Sequence, residues 1–350
     1  MKLFGIQFAP ICVPLERRLQ TLAAGGWFVF IVFGGSMGCF LAIYLIFFTE
    51  WIRYLVIIYI AWIYYDRDTC IQGGRRQRYT RWIRRCSWWA YFRDYFPIKL
   101  YKTADLDPSR NYLLCSFPHG ILATGAFASF ATDSLNFHKL FPGLEPRLIT
   151  LTQHFMFPFF RECIYAFGAC SSKAESLECL LKHKKSSDPD DLNKAVILIV
   201  GGAAEALMSR PSTYRTLCNK RKGFVKIALK TGTPLVPVFS FGETDLFDQI
   251  VAPKNSLLNR IQEFFRKNVG VIPVLVIGRG FFQYSFGIIP RRRPISVVVG
   301  SPIEVPKVTE PTREEINKYH DLFKEKLIEL FETEKHKYLE NADNIKLSIE

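Results

Sequence analysis

Ser116-Phe-Pro-His-Gly120 is the segment of this sequence whose residue types best suit proton transfer. An apolar, β-rich run from Tyr112 to Cys115 precedes it, and the apolar, glycine-containing run Ile121 to Phe130 follows. Pro118 and Gly120 flank His119 and hold it on a tight turn at a strand end, where an imidazole can project into a site. Imidazole titrates near neutral pH, so it can accept the proton of an alcohol that does not ionise by itself. The same four residues equally describe a core histidine satisfied by backbone, and alone they leave both readings open. Gly201 and Gly202 follow a second apolar run, Ala195 to Val200, and offer backbone N–H donors to an oxyanion. Glu205 then falls at a strand-to-helix corner, where the sites of α/β proteins collect. Its bland alternative is a solvated first-turn carboxylate favoured by the helix dipole. Glu243 repeats the pattern more weakly in Phe239-Ser-Phe-Gly-Glu243. Cys115, four residues before His119, is the best of nine cysteines for a covalent acyl intermediate, but a thiol inside an apolar strand is inert packing, so direct transfer is preferred.

These groups need a scaffold, and from about residue 97 short apolar runs alternate with helical ones, as in an α/β domain with a mixed sheet. Strands are expected at Tyr112 to Ser116, Ala195 to Val200, Leu235 to Phe239, Val274 to Ile277 and Ile295 to Val299. Helices are expected at Lys173 to His183, Lys222 to Lys230, Leu257 to Lys267 and Glu314 to Lys335, the last behind a capping box of Thr312 and Glu315. Lys184 to Asp191 reads as a solvated loop.

The N-terminal part has a different solvent. Gly26 to Phe48 carries no charge and matches the length of about 20 apolar residues that a hydrocarbon core requires. Tyr54 to Tyr65 is a shorter second run. Arg17 and Arg18 precede the first run and seven arginines between 67 and 85 follow the second, which puts both ends on the cytosolic side and predicts a helical hairpin. Gln72 to Phe96 mixes arginine with aromatic rings, the composition of a segment lying on a membrane surface. The chain divides accordingly into a cytosolic segment 1–24, a transmembrane hairpin 25–66, a basic aromatic interface segment 67–98 and a catalytic domain 99–350. The net charge of +14 calls for an anionic partner. Arginine mixed with aromatics also occurs in nucleic-acid binders, yet no such module is present and the apolar run argues against one. The cysteines form no Cys-x-x-Cys pair and no metal-ligand spacing, no Asn-x-Ser/Thr acceptor occurs, and no dinucleotide or phosphate-loop motif is found. Free thiols in a reducing compartment are expected, with no metal and no bound cofactor.

The order of short blocks along the chain resembles the type 2 diacylglycerol acyltransferase family, which includes the monoacylglycerol and wax-alcohol acyltransferases. The blocks are ERRLQTLA (16–23), QGGRR (72–76), DYFPIKL (94–100), DLDPSRNY (105–112), FPHG (117–120), LFPG (140–143), FFRE (159–162), GGAAEAL (201–207), RKGFVKIAL (221–229), PLVPVFSFGE (234–243) and GRGFFQYSFGIIP (278–290). The N-terminal blocks and DLDPSRNY are closest to the monoacylglycerol branch. The resemblance implies transfer of a fatty acyl group from acyl-CoA to the hydroxyl of mono- or diacylglycerol, at the endoplasmic reticulum membrane with the catalytic domain cytosolic. It implies His119 as base and Glu205 as orienting or glycerol-binding group. Coenzyme A is a cosubstrate whose phosphates call for cations, and Arg221-Lys222-Gly223-Phe224 and Arg279-Gly280-Phe281 are the candidates, with Glu243 a further substrate contact. Two departures matter. Phe117 stands where the family usually has the first histidine of His-Pro-His-Gly, and Thr124 stands where wider glycerolipid acyltransferases have an orienting aspartate. A wax-alcohol acceptor and a catalytically silent membrane or lipid-droplet paralogue are the alternatives; a homo-oligomer is left open.

Overall fold

The protein is described from a computed structural model that covers residues 2–10, 12–75, 77–182, 188, 191–250, 253, 256–268 and 274–350. Arg76, His183 and most of the 184–191 loop lie outside them.

Seven strands form one sheet: β1 (Lys99–Lys102), β2 (Tyr112–Phe117), β3 (Leu144–Thr150), β4 (Cys170–Ser171), β5 (Asn193–Ile199), β6 (Leu235–Phe241) and β7 (Ser296–Val299). Their order is β1-β7-β6-β2-β5-β3-β4. Every neighbouring pair is parallel except β7 with β6, so the sheet is mixed, as expected. β2 lies at the centre, with Leu113 opposite Leu235 on one side and Val196 on the other. All six of its residues are buried, because both faces of the sheet are covered. Side chains alternate across a strand, so Tyr112 and Leu114 join one apolar cluster while Leu113, Cys115 and Phe117 join the other.

The first cluster is closed by helix α1 (Leu15–Phe48), the helix Trp88–Tyr95 and the segment that follows His119. The second is closed by α3 (Gly223–Thr231) and α4 (Arg313–Tyr338). The α4 cap is a complete capping box between Thr312 and Glu315. The expected Val274–Ile277 strand is shorter, Val276–Ile277, and pairs with Asp248–Gln249 outside the main sheet.

α1 starts eleven residues before the uncharged run and is 34 residues long, about 51 Å at 1.5 Å per residue. Its first half belongs to the domain core: Trp27 packs 5.0 Å from Phe92 and 5.4 Å from Phe127, and Phe28 5.6 Å from Phe247. Its second half exposes Phe33, Met37, Phe40, Tyr44, Phe47 and Phe48. Among the described residues it is the one helix long and apolar enough to cross a membrane. α2 (Ile52–Tyr65) returns beside it, apolar but only 14 residues long, with Val56 as its one buried residue.

Its C-terminal end is tied to the domain by charge. Fully buried Arg161 reaches Asp66 at 2.6 Å, Arg75 reaches the same carboxylate at 2.8 Å, and the Tyr59 hydroxyl donates to Glu162 at 3.3 Å. The basic aromatic segment divides: Trp82 and Tyr79 are exposed, whereas Trp89, Phe92, Tyr95 and Phe96 are core residues.

Candidate active site

Strands β6, β2 and β5 are neighbours, run parallel, and therefore end on the same edge of the sheet. Glu243, His119 and Gly201 come two residues after β6, β2 and β5 respectively, and the turn Gly201-Gly202 leads into a single helical turn, Gly202–Ala206. The central histidine thus has a carboxylate on each side, at the edge where α/β sheets place their ligands.

Both carboxylates hold the chain around His119 through backbone N–H groups. Glu205 Oε1 accepts from His119 N at 2.6 Å and Oε2 accepts from Leu217 N at 3.0 Å. Glu243 Oε1 accepts from Thr124 N and Oε2 from Gly125 N, each at 2.7 Å, at the start of the helical segment Thr124–Ala131. A carboxylate there satisfies N–H groups that a helix start leaves without partners. The loop from 119 to 125 is consequently gripped at both ends. Both acids are 2% exposed, and loss of water pushes each carboxyl up to about 7 against the pull of the N–H donors.

Two glycines make room for this grip. Gly120 has φ +58°, and a Cβ there would lie 2.6 Å from Glu243 Cγ. A Cβ on Gly201 would overlap the Glu205 carboxyl.

The imidazole itself is half-buried. His119 Nδ1 lies 3.1 Å from the carbonyl oxygen of Gly120. A carbonyl only accepts, so Nδ1 carries the proton and Nε2 keeps its lone pair. Burial lowers the imidazole pKa, which keeps Nε2 unprotonated through neutral pH. Chemically this is a neutral, tautomerically fixed base on a rigid loop.

The remaining predicted residues fall into three places. Phe117 is fully buried, its ring 6.1 Å from Phe323, on the sheet face covered by α3 and α4. Its side chain belongs to that core, so the first motif position faces packing and not the turn that carries His119. Pro118 follows it through a cis peptide.

Arg221 and Lys222 are exposed beside the open Gly223 at the start of α3, and Arg221 is close enough to Glu205 for its charge to lower that carboxyl's pKa. Lys222 Nζ donates to Asn317 at 2.6 Å, and Phe224 faces the core, 5.0 Å from Phe323. Arg279, Gly280 and Phe281 lie elsewhere, near the first turns of α1. Arg279 stacks over Tyr284 at 4.2 Å, and Arg18 donates to Phe281 O at 3.3 Å. The Leu217 N–H, which holds Glu205, was not visible in the sequence because a backbone donor carries no residue signature.

Comparison with known proteins places the chain in a family. Residues 44–349 match the model of the diacylglycerol acyltransferase family. 2-Acylglycerol O-acyltransferase 1 of Bos taurus is 42% identical over 95% of this chain and 96% of its own. Diacylglycerol O-acyltransferase 2 of Dictyostelium discoideum is 40% identical over 95% and 96%. Acyl-CoA wax alcohol acyltransferase 2 of Homo sapiens is 39% identical over 93% and 96%. Among solved structures, the 1-acyl-sn-glycerophosphate acyltransferase PlsC of Thermotoga maritima covers 90% of this chain and 97% of its own at 15% identity, with a TM-score of 0.38 that carries no argument about the site. On the family match and these identities, the chain belongs to the diacylglycerol acyltransferase family.

Proposed function

We propose that the protein transfers a fatty acyl group from acyl-CoA to a free hydroxyl of mono- or diacylglycerol, with His119 as general base. The observation that carries the reading is the Nδ1 contact to Gly120 O together with the Glu205 bond to His119 N, which leave Nε2 free and fix where it points. Nε2 takes the acceptor's O–H proton as the oxygen attacks the thioester carbonyl. The new ester C–O bond forms, the C–S bond breaks, and the imidazolium returns the proton to the departing thiolate. Such a base contributes ~100-fold to 10,000-fold in rate. Glu205 and Glu243 act as positioning residues. Backbone N–H groups of the Gly201-Gly202 turn are the proposed oxyanion donors, and Arg221, Lys222 and Lys226 at the open start of α3 the proposed site of the coenzyme A phosphates.

In the same reading α1 and α2 form a hairpin in the endoplasmic reticulum membrane, with the catalytic domain in the cytosol. α2 spans about 21 Å, short of the ~30 Å hydrocarbon core, so the hairpin enters without needing to cross twice at full depth. A wax-alcohol acceptor is the second reading, because a relative at nearly the same identity bears that name. Labelled acyl-CoA given to membranes holding this protein, with monoacylglycerol, diacylglycerol or a long-chain alcohol in parallel, decides between them. Product from the alcohol alone would overturn the acylglycerol reading, and no product from any acceptor would support a silent paralogue.

A further inference from the structure

The excursion between Asp248–Gln249 and Val276–Ile277 carries a helix that is inside out for water. In Leu257–Asn268 the side chains facing outward are Leu257 (74% exposed), Arg260, Ile261 (40%), Phe264 (62%) and Phe265 (41%). Among the described side chains of this helix, the buried one is Gln262, at 6% exposed. Spacings of three and four put 257, 261, 264 and 265 on one stripe. A water-facing helix places such residues inward and its glutamine outward. The apolar exposure continues at the base of the excursion, where Ile250 N donates to Leu275 O and both side chains are exposed. It extends to Phe282, Phe286 and Ile288 in the loop that Arg18 of α1 holds through Phe281 O.

We infer that this helix is a second membrane contact, lying flat on a bilayer surface that contains anionic phospholipid, with its Leu/Ile/Phe stripe in the headgroup boundary. Two observations select lipid over a protein partner. Arg260 stands on the outward side beside the stripe, and by sequence Arg266 and Lys267 follow, the pairing of aromatic rings with cations that suits phosphate headgroups. The loop carrying exposed Phe282, Phe286 and Ile288 is also tied to the first turn of α1 by Arg18, and a chain held in the bilayer by its hairpin keeps that surface at high effective concentration. The inference rests on the membrane reading of α1 and α2. It adds a functional consequence, because Gln249 at the base of the excursion donates to Ala206 O, next to Glu205, at 3.2 Å. Seating the helix therefore brings the catalytic edge of the sheet toward the surface that stores an acylglycerol acceptor.

The test uses the full chain reconstituted in phosphatidylcholine vesicles, with and without phosphatidylserine, carrying p-benzoylphenylalanine in place of Phe264, of Phe47 in α1, or of Glu329 on the polar face of α4. Illumination is expected to give lipid adducts at 264 and 47, several-fold above those at 329, with the yield at 264 rising with phosphatidylserine and that rise reduced by Arg260→Glu. Adducts at 47 without adducts at 264 would overturn the inference and leave the hairpin intact. Crosslinks from 264 to a second copy of the chain would overturn it in favour of a protein interface. Absence of adducts at both 264 and 47 would overturn the membrane reading beneath it.

Discussion

Replacing Glu205 by glutamine changes almost no volume and removes one of its two backbone grips, on His119 N or on Leu217 N. The carboxylate accepts from His119 N at 2.6 Å and from Leu217 N at 3.0 Å. An amide has one acceptor oxygen, and its NH2 would face an N–H donor, so one of the two buried donors loses its partner. An unpaired buried donor costs ~1–3 kcal/mol. If that cost is relieved by displacement of the His119 loop, a tenfold rate per 1.36 kcal/mol gives a fall in kcat of roughly 5- to 150-fold. KM for either substrate should stay near wild type, because Glu205 is held by the backbone N–H groups of His119 and Leu217. Gly201→Ala attacks the same carboxyl from the other side, since its Cβ would overlap it, and should reproduce the defect. Initial rates with labelled acyl-CoA over a range of acceptor concentrations read both parameters. Full kcat in Glu205→Gln, with only a lowered melting temperature, would refute the positioning argument and leave Glu205 as a purely structural acid.

Glu243→Gln should behave likewise, lowering kcat about 10-fold or more, because it breaks one of the two 2.7 Å bonds to Thr124 N and Gly125 N; unchanged kcat would contradict it. The two buried carboxyls also set a pH trend. Their folded pKa of about 7 lies above the ordinary 4.5, so the folded state holds these protons more tightly. Their stabilisation is complete below 4.5 and is lost as pH rises through about 7, at roughly 3 kcal/mol per carboxyl. His119, lowered from 6.5 by burial, and His154, lowered to about 4, work in the opposite sense and offset part of this fall. Melting in detergent micelles, followed by tryptophan fluorescence, should fall between about pH 5 and 8, and a steady rise would contradict the assignment. Phe117→Leu should keep kcat within a few-fold, and Phe117→His should cost ~1–3 kcal/mol of stability without raising kcat; a faster Phe117→His enzyme would show that position 117 reaches the chemistry. Arg161→Ala leaves Asp66 buried beside one remaining cation, and should lower stability by ~3–5 kcal/mol in the same melting assay.

The central strands β2, β5 and β6 were readable as apolar runs because both of their faces are buried, and residues 112–116, 195–199 and 235–239 fall where expected. β3 was not, because Glu145, Pro146 and Arg147 sit in its middle. The burial that apolar side chains usually supply is carried there by an ion-pair cluster in which Glu145 meets Arg147 and Lys194, each at 2.7 Å. β1 reads Lys-Leu-Tyr-Lys and is four residues long, too short and too charged to stand out. The uncharged run begins at Gly26, yet Leu15 to Gly25 belong to the same helix because Thr21, Ala23 and Ala24 bury against the domain rather than lipid. At the site, the residue types marked His119, Glu205 and Glu243 as candidates. What they grip was not legible, since the partners are the main-chain N–H groups of residues 119, 124, 125 and 217.

The claim on which the rest depends is that one imidazole, at position 119, performs the proton transfer. The direct measurement compares wild type with His119→Ala and His119→Gln in reconstituted vesicles, following ester formation from labelled acyl-CoA and acylglycerol while melting temperature confirms folding. Both variants should lose ~100-fold to 10,000-fold in kcat at unchanged melting temperature. Product formed at the wild-type rate by a folded His119→Ala protein would contradict it.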